Sequence, residues 1–449
     1  MEDVNLKTNV MKQHRELSLY NKVLFTVLIL IGYRLLSHIP LPFVNGEYMK
    51  LMMDTNGALS FFNALTGGGF ESMSFMALGI TPYITASIVI QLMGVVIPRL
   101  GDLQKEGAVG RQMIERITLV LAAVLGFLQA FVMTWGYGKQ GLLSDYTWYT
   151  VLIPAVLMTV GVFVLSYAGQ LITKHFFGNG ISLILLTGIV SSYLSDADTL
   201  VRVLTKDQTM TMSIVLCTAA LVAVLLLFAY AFYLNFCEKR IMVSYSQKIS
   251  QYTGNTETSV IPLKMLSGSV VPIIFASTIL SVPGFIASIT GSEAKWLWLF
   301  DFGKWFSMEH IWASAGVILY CIMIIGFSYY YNHLNLNEVE LAQNLKKRGG
   351  YIHGVRPGQD TAVYLKNQLK YMTFLGGLGL CIVALIPVLV TNLLGISRLA
   401  FLGTSIIITV SVLQETYKKF TAERQSGMVR RGLHRSMHGS RSVFGGSRK

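Results

Sequence analysis

Few side chains in this 449-residue chain are of a kind, and in a place, to do chemistry. Cys217, Cys237, Cys321 and Cys381 lie within or at the edges of apolar runs, with no CxxC spacing. That pattern reads as small buried hydrophobes and not as a metal site or a redox pair. Arg34, in GYRLLSHIP, is the exception in apolar segments that carry almost no charge. A lone guanidinium there snorkels or pairs with a carbonyl, which is a structural role. No H-E-x-x-H, no G-x-S-x-G, no phosphate-binding loop and no acidic pair within an apolar run is present. The sequence therefore predicts no catalysis, no metal and no cofactor.

The elements that hold these residues are membrane elements. Hydrophobic residues make up 53% of the chain and charged residues 13%, about half the charged share of a soluble domain. Apolar runs predict ten spans, near 22–40, 77–97, 116–136, 150–172, 180–195, 212–236, 266–290, 310–332, 371–395 and 399–415. Residues 1–21 carry no cleavable signal, and Leu6 to Tyr20 can form an amphipathic helix on the membrane surface. Alternate loops hold the Lys and Arg, which places them and both termini in the cytoplasm. Ten spans divide into halves of five, 22–195 and 212–415, joined by an external loop at 196–211. An odd number per half inverts the second half, with a central site between the two. Residues 416–449, rich in Arg, Gly and Ser, read as a basic disordered tail.

Two stretches stand apart from the spans. SFFNALTGGGFES, Ser60 to Ser72, is apolar but too short to cross a bilayer, and it breaks at Gly67, Gly68 and Gly69. NLKKRGGYIHGVRPGQDTAVYL, Asn344 to Leu365, is a basic segment in which Arg356, Pro357 and Gly358 suggest a tight turn.

With these segments the chain resembles the SecY family of protein-conducting channels. The resemblance runs from about residue 8 to 415 through GITPYITASIVIQLM, LQKEGAVGRQMIERIT, GNGISLIL, VVPIIFASTIL, NLKKRGGYIHGVRPGQDT and FLGTSIII, in that order. It implies an all-α fold of ten transmembrane helices in two inverted five-helix halves around a central pore. The half-helix near 56–70 then matches a plug, with Leu59, Phe61, Phe62, Leu65, Gly67, Gly68 and Gly69. Ile80, Ile84, Leu185, Ile274 and Ile408 match an aliphatic pore ring, which dewets when empty and deforms around a passing chain. Ser87 and Gln91, facing Ser277 and Thr278, would be the polar residues of a lateral gate. The loops at 237–265 and 333–370 would dock partners through Arg240, Lys248, Arg356, Pro357 and Gly358.

The implied function is translocation of unfolded preproteins across the bacterial cytoplasmic membrane, with sideways release of signal sequences and membrane helices into lipid. The implied partners are SecE-like and SecG-like subunits, a SecA-like ATPase, the ribosome and membrane lipids. YAGQLITKHFFGNG carries Gln170 where the family commonly has an acid, and the basic tail is also unusual. Both a general and a specialised accessory translocon remain open. A secondary transporter of a small solute would share the span count, but it needs a polar mid-membrane site that the sequence does not show. An intramembrane enzyme needs a set of polar span residues, also missing; a lipid scramblase would work without any ATPase partner.

Overall fold

The computed structural model describes residues 19–444, apart from 56, 206–209, 250–255, 267–269, 291–294, 303–304, 306–310 and 395–400. The expected N-terminal amphipathic helix lies outside the described residues. Among the described residues, each of the ten apolar segments holds a helix. The first half holds α1 (Leu19–Leu36), the short α2 (Gly46–Thr55) and α3 (Gly57–Thr66), then α4 (Thr81–Val96) and α5 (Pro98–Lys105). It continues with α6 (Gly107–Tyr137), α7 (Trp148–His175) and α8 (Gly180–Thr205). The second half holds α9 (Met210–Phe236), α10 (Val271–Thr290), α11 (Ala315–Asn335), α12 (Glu338–Lys347), α13 (Gln359–Leu394) and α14 (Leu402–Phe444).

Among the described residues, seven helices are long and apolar enough to cross a membrane. The second expected span ends in a sharp bend, where α4 meets α5 at 108°. Proline at the start of each helix fixes φ, and the residue before Pro98 is held extended, so the chain turns there. In α10 the apolar stretch is shorter, Val271–Ala287, and Pro283 lies within the helix.

Two segments read as irregular are helical. The loop expected at 196–211 is largely the end of α8, which runs to Thr205 with Asp198 and Arg202 paired at 2.9 Å along its surface. No glycine or proline interrupts that stretch after Gly188, and an i,i+4 ion pair supports it. The tail expected to be disordered continues α14 to Phe444. Extending a helix that is already nucleated adds one bond for each residue fixed, and no proline stops it.

The two expected docking loops are also more ordered than loops. β1 (Glu238–Ile249) pairs antiparallel with β2 (Thr256–Lys264) on one side and β3 (Gly350–Ile352) on the other. Val243 stands opposite Ile352 and Ser244 opposite Thr258. Ile241, Val243 and Leu263 close over Leu345 of α12, Ile352, and Leu365 and Leu369 of α13. This small apolar core joins both loops into one body on an otherwise helical protein.

Candidate functional site

The half-helix α3 ends as helices end when glycine follows. Gly67 has φ +68°, and the Gly68 N–H donates to the Asn63 carbonyl at 3.2 Å, closing a Schellman turn. Gly67 also faces Gly188 of α8 so closely that a Cβ on it would lie 2.5 Å from the Gly188 carbonyl oxygen. Only glycine fits on both counts. Two carbonyls emerge at this end. Tyr33 Oη donates to the Thr66 carbonyl at 3.3 Å and Arg34 Nη1 to the Gly67 carbonyl at 3.1 Å, while Arg34 Nη2 donates to Ser191 Oγ of α8. The carbonyl pairing expected of Arg34 thus has a definite acceptor at the end of this half-helix.

Aromatic rings hold the body of α3, which packs against α8 and α10. Phe61 meets Phe401 at 4.9 Å between ring centroids, and Phe401 meets Phe302 at 4.6 Å. Phe62 meets Phe285 of α10 at 5.5 Å. Leu59, Phe61, Phe62 and Leu65 are all buried. Each such ring pair contributes about 0.5–1.5 kcal/mol beyond its buried area.

A cavity of about 460 Å³ lies among α4, α8, α10, α11 and α14. Ile84, Leu185, Ile274 and Ile408 line it, so four of the five pore-ring candidates are brought together from four helices of both halves. Ile80 lies outside that lining, buried at the turn that opens α4. The same lining includes Ser87, Gln91, Asn179, Ser182, Ser411 and Glu415. Aliphatic and polar lining therefore coexist in one space.

The gate residues do not pair as expected. Gln91 Nε2 donates to Ser87 Oγ at 3.1 Å on the same helix, and Tyr331 Oη of α11 donates to Gln91 Oε1 at 2.7 Å. Tyr330 Oη adds a bond to the Gln91 carbonyl at 3.3 Å. Ser277 points the other way, to Tyr320 Oη at 2.9 Å, and Thr278 is buried. Between α4 and α10 the contact is apolar: Ile88, Phe275 and Tyr331 form a cluster, with the last two rings 5.1 Å apart. A tyrosine pair on α11 thus supplies the polar bonds that the sequence reading gave to Ser277 and Thr278. The YYY run at 329–331 was the visible signal, but a tyrosine in an apolar run has many possible partners.

The SecY family model matches residues 74–417. The chain belongs to the SecY family. It is 34% identical over 412 residues to the protein translocase subunit SecY of Bacillus licheniformis, covering 90% of this chain and 94% of that one. To the SecY subunit of Bacillus subtilis it is 34% identical over 416 residues, with the same coverage. The solved structure of a protein-conducting channel superimposes with a TM-score of 0.65 at 17% identity, covering 90% of this chain and 92% of that one. Sec61 in the canine ribosome–channel complex gives a TM-score of 0.62 at 17% identity, with the same coverage.

Where the SecY resemblance expects an acid at the end of the fourth span, Gln170 Nε2 donates to the Glu115 carbonyl at 3.4 Å. Glu115 offers its carboxylate to Lys174, 2.8 Å away. The negative charge near this turn therefore comes from α6 in place of α7. Of the docking candidates, Arg356 and Pro357 are exposed on the turn between β3 and α13, where Thr361 Oγ1 donates to the Arg356 carbonyl at 2.9 Å and Gly358 has φ +114°. Arg240 is exposed on β1 and bonds Glu238 at 3.1 Å. Lys248 lies in β1, and its side chain is outside the described residues. Just past the cavity, the Lys418 ammonium is pushed below the ordinary lysine range, first by burial and then by the charge of Lys264 on β2.

Proposed function

We propose that this chain is the channel-forming subunit of a protein translocase. It passes unfolded polypeptides outward through the cavity among α4, α8, α10 and α14, and releases signal sequences and apolar helices sideways between α4 and α10. The observation that carries this reading is the meeting of Ile84, Leu185, Ile274 and Ile408 around one cavity, on four helices of which α4, α8 and α10 also pack the buried half-helix α3. A ring of flexible aliphatic side chains excludes water when empty and grips no passing side chain strongly, which suits a channel with many substrates.

The half-helix α3 acts as the plug. The seam of Ile88, Phe275 and Tyr331, with Gln91 held by Tyr330 and Tyr331, acts as the lateral gate. That end lies in the cytoplasm with both termini, in the bacterial cytoplasmic membrane; the Lys and Arg on the sheet, α12 and the Arg356 turn support this reading by the positive-inside rule. A SecA-like ATPase and the ribosome dock there, basic residues meeting phosphates of ribosomal RNA in a salt-sensitive contact. A SecE-like subunit clamps the halves and a SecG-like subunit completes the complex. ATP is hydrolysed by the partner.

The test is conductance in planar bilayers, comparing the complex with its SecE-like subunit and the same complex lacking residues 59–69. A silent intact complex and large, flickering conductances from the deletion are expected. Silence from both forms, together with saturable transport of a small solute, would overturn the channel reading in favour of a carrier.

A further inference from the structure

The plug reading leaves open what keeps a movable half-helix in place, and α1 supplies an answer. A Schellman turn satisfies the inner carbonyls of a helix end but leaves the last ones pointing outward. At the end of α3 these belong to Thr66 and Gly67, and adjacent side chains of α1 meet both: Tyr33 Oη at the first, Arg34 Nη1 at the second. The other arm of the same guanidinium reaches Ser191 on α8. Arg34 therefore ties three elements together, α1, the end of α3 and α8, around the turn where Gly67 and Gly188 touch. Its Cζ lies 6.0 Å from the centre of the Tyr33 ring, so the two donors also brace each other. A cation at a helix C-terminus adds to the attraction, because the carbonyl ends carry partial negative charge.

We infer that Tyr33 and Arg34 form the latch that sets how often the plug leaves its seat, and so set the resting seal of the channel. The inference rests on the plug reading. If α3 withdraws, both carbonyls lose their donors and Arg34 keeps only Ser191, in a partly buried site where an unmet donor is costly. The latch is not part of the aliphatic ring or of the gate seam, and its bonds to α3 and the turn after it go to the Thr66 and Gly67 carbonyls. It is a positioning device: it leaves the width of the open pore alone and biases the closed state.

The experiment uses the complex with its SecE-like subunit in planar bilayers, recording resting current and single-channel conductance. The variants are Arg34→Gln, Tyr33→Phe and Ser191→Ala, each with and without deletion of residues 59–69. Arg34→Gln is expected to raise the resting open probability about tenfold, the scale of one charge-assisted hydrogen bond. Tyr33→Phe and Ser191→Ala should raise it a few-fold, all with unchanged unitary conductance, and Arg34→Lys should restore part of the seal. On the deletion background none of the three should add anything. If deletion opens the channel but the three single variants stay as quiet as the intact complex, the latch is overturned and the plug stands. If Arg34→Gln leaks as much again on the deletion background, Arg34 acts elsewhere and the latch is likewise overturned. Should the deletion itself stay silent, the plug reading fails and takes the latch with it. Tyr33→Phe and Ser191→Ala remove single hydroxyl bonds, so they keep the test decisive if Arg34→Gln folds poorly.

Discussion

Gly67 and Gly68 are neighbours with similar backbones and different surroundings, and that difference gives a quantitative test of the seat of α3. Both have positive φ, +68° and +84°. Alanine at either position bears the left-handed penalty of about 1–2 kcal/mol. A Cβ at Gly68 meets nothing within 4 Å, whereas one at Gly67 lies 2.5 Å from the Gly188 carbonyl oxygen and 2.6 Å from the Gly188 Cα. Those are backbone atoms of a long helix, so α3 must withdraw by close to an ångström. Overpacking of this kind costs a further 1–3 kcal/mol or so. The collision exists only while α3 is seated, whereas the strain at Gly68 travels with the loop and is relieved only in part. Gly67→Ala is therefore expected to raise resting open probability about a hundredfold and Gly68→Ala no more than about tenfold. Single-channel recording of the reconstituted complex reads both. Equal effects of the two substitutions, or none from Gly67→Ala, would refute the argument that the Gly67–Gly188 approach seats the half-helix.

Phe275→Ala empties the centre of the Ile88–Phe275–Tyr331 cluster, a loss of about 3–5 kcal/mol for a buried phenylalanine. It should speed passage of an apolar nascent helix from pore to lipid, read as the rate of photocrosslinking to lipid; an unchanged rate counts against the seam. Val243→Ala and Ile352→Ala in the core under the sheet should weaken partner binding by several-fold without altering unitary conductance, measured by pull-down and recording side by side. Arg356→Glu, on an exposed turn, should leave thermal stability within about 0.5 kcal/mol while lowering ATPase and ribosome affinity, a contrast that binding and unfolding assays together can deny. Lys418→Gln tests the depressed ammonium. The folded state disfavours the charge, so Lys418 destabilises near neutral pH and the penalty fades as pH rises through the lysine range. The variant should melt higher near pH 7 and match the parent at strongly alkaline pH; a gap that stays constant with pH would exclude this cause.

Much of the helical plan is legible in the sequence because hydropathy is a local signal: each of the ten apolar runs holds a helix among the described residues, and the break at Gly67 and Gly68 marks the end of α3. What was not legible depends on distant partners. β1 shows a period-two pattern in Ile241, Val243 and Tyr245, but its second partner strand lies about a hundred residues away, at Ile352, in a segment that reads as a turn. The reach of Arg34 to the Gly67 carbonyl spans 33 residues, and no residue type in either segment announces it. Gln91 was expected to face Ser277 and Thr278 on α10, yet its bonds across helices go to α11, because a polar side chain in an apolar setting takes whichever partner the packing brings nearest. In the tail, composition weighs against order while continuity with α14 favours helix, and the helix runs to Phe444.

That continuity has a mechanical side. α14 is 43 residues of uninterrupted helix, about 65 Å long at 1.5 Å for each residue, against a hydrocarbon core of about 30 Å. Ile408, one of the four pore-ring candidates that line the cavity, lies in its second turn. The helix is thus a stiff rod, longer than such a core is thick, with Ile408 near its short end. A sideways pull on the far end pivots about the layer where α14 packs on α9 and α13, and the lever ratio makes the motion at Ile408 smaller and the force there larger.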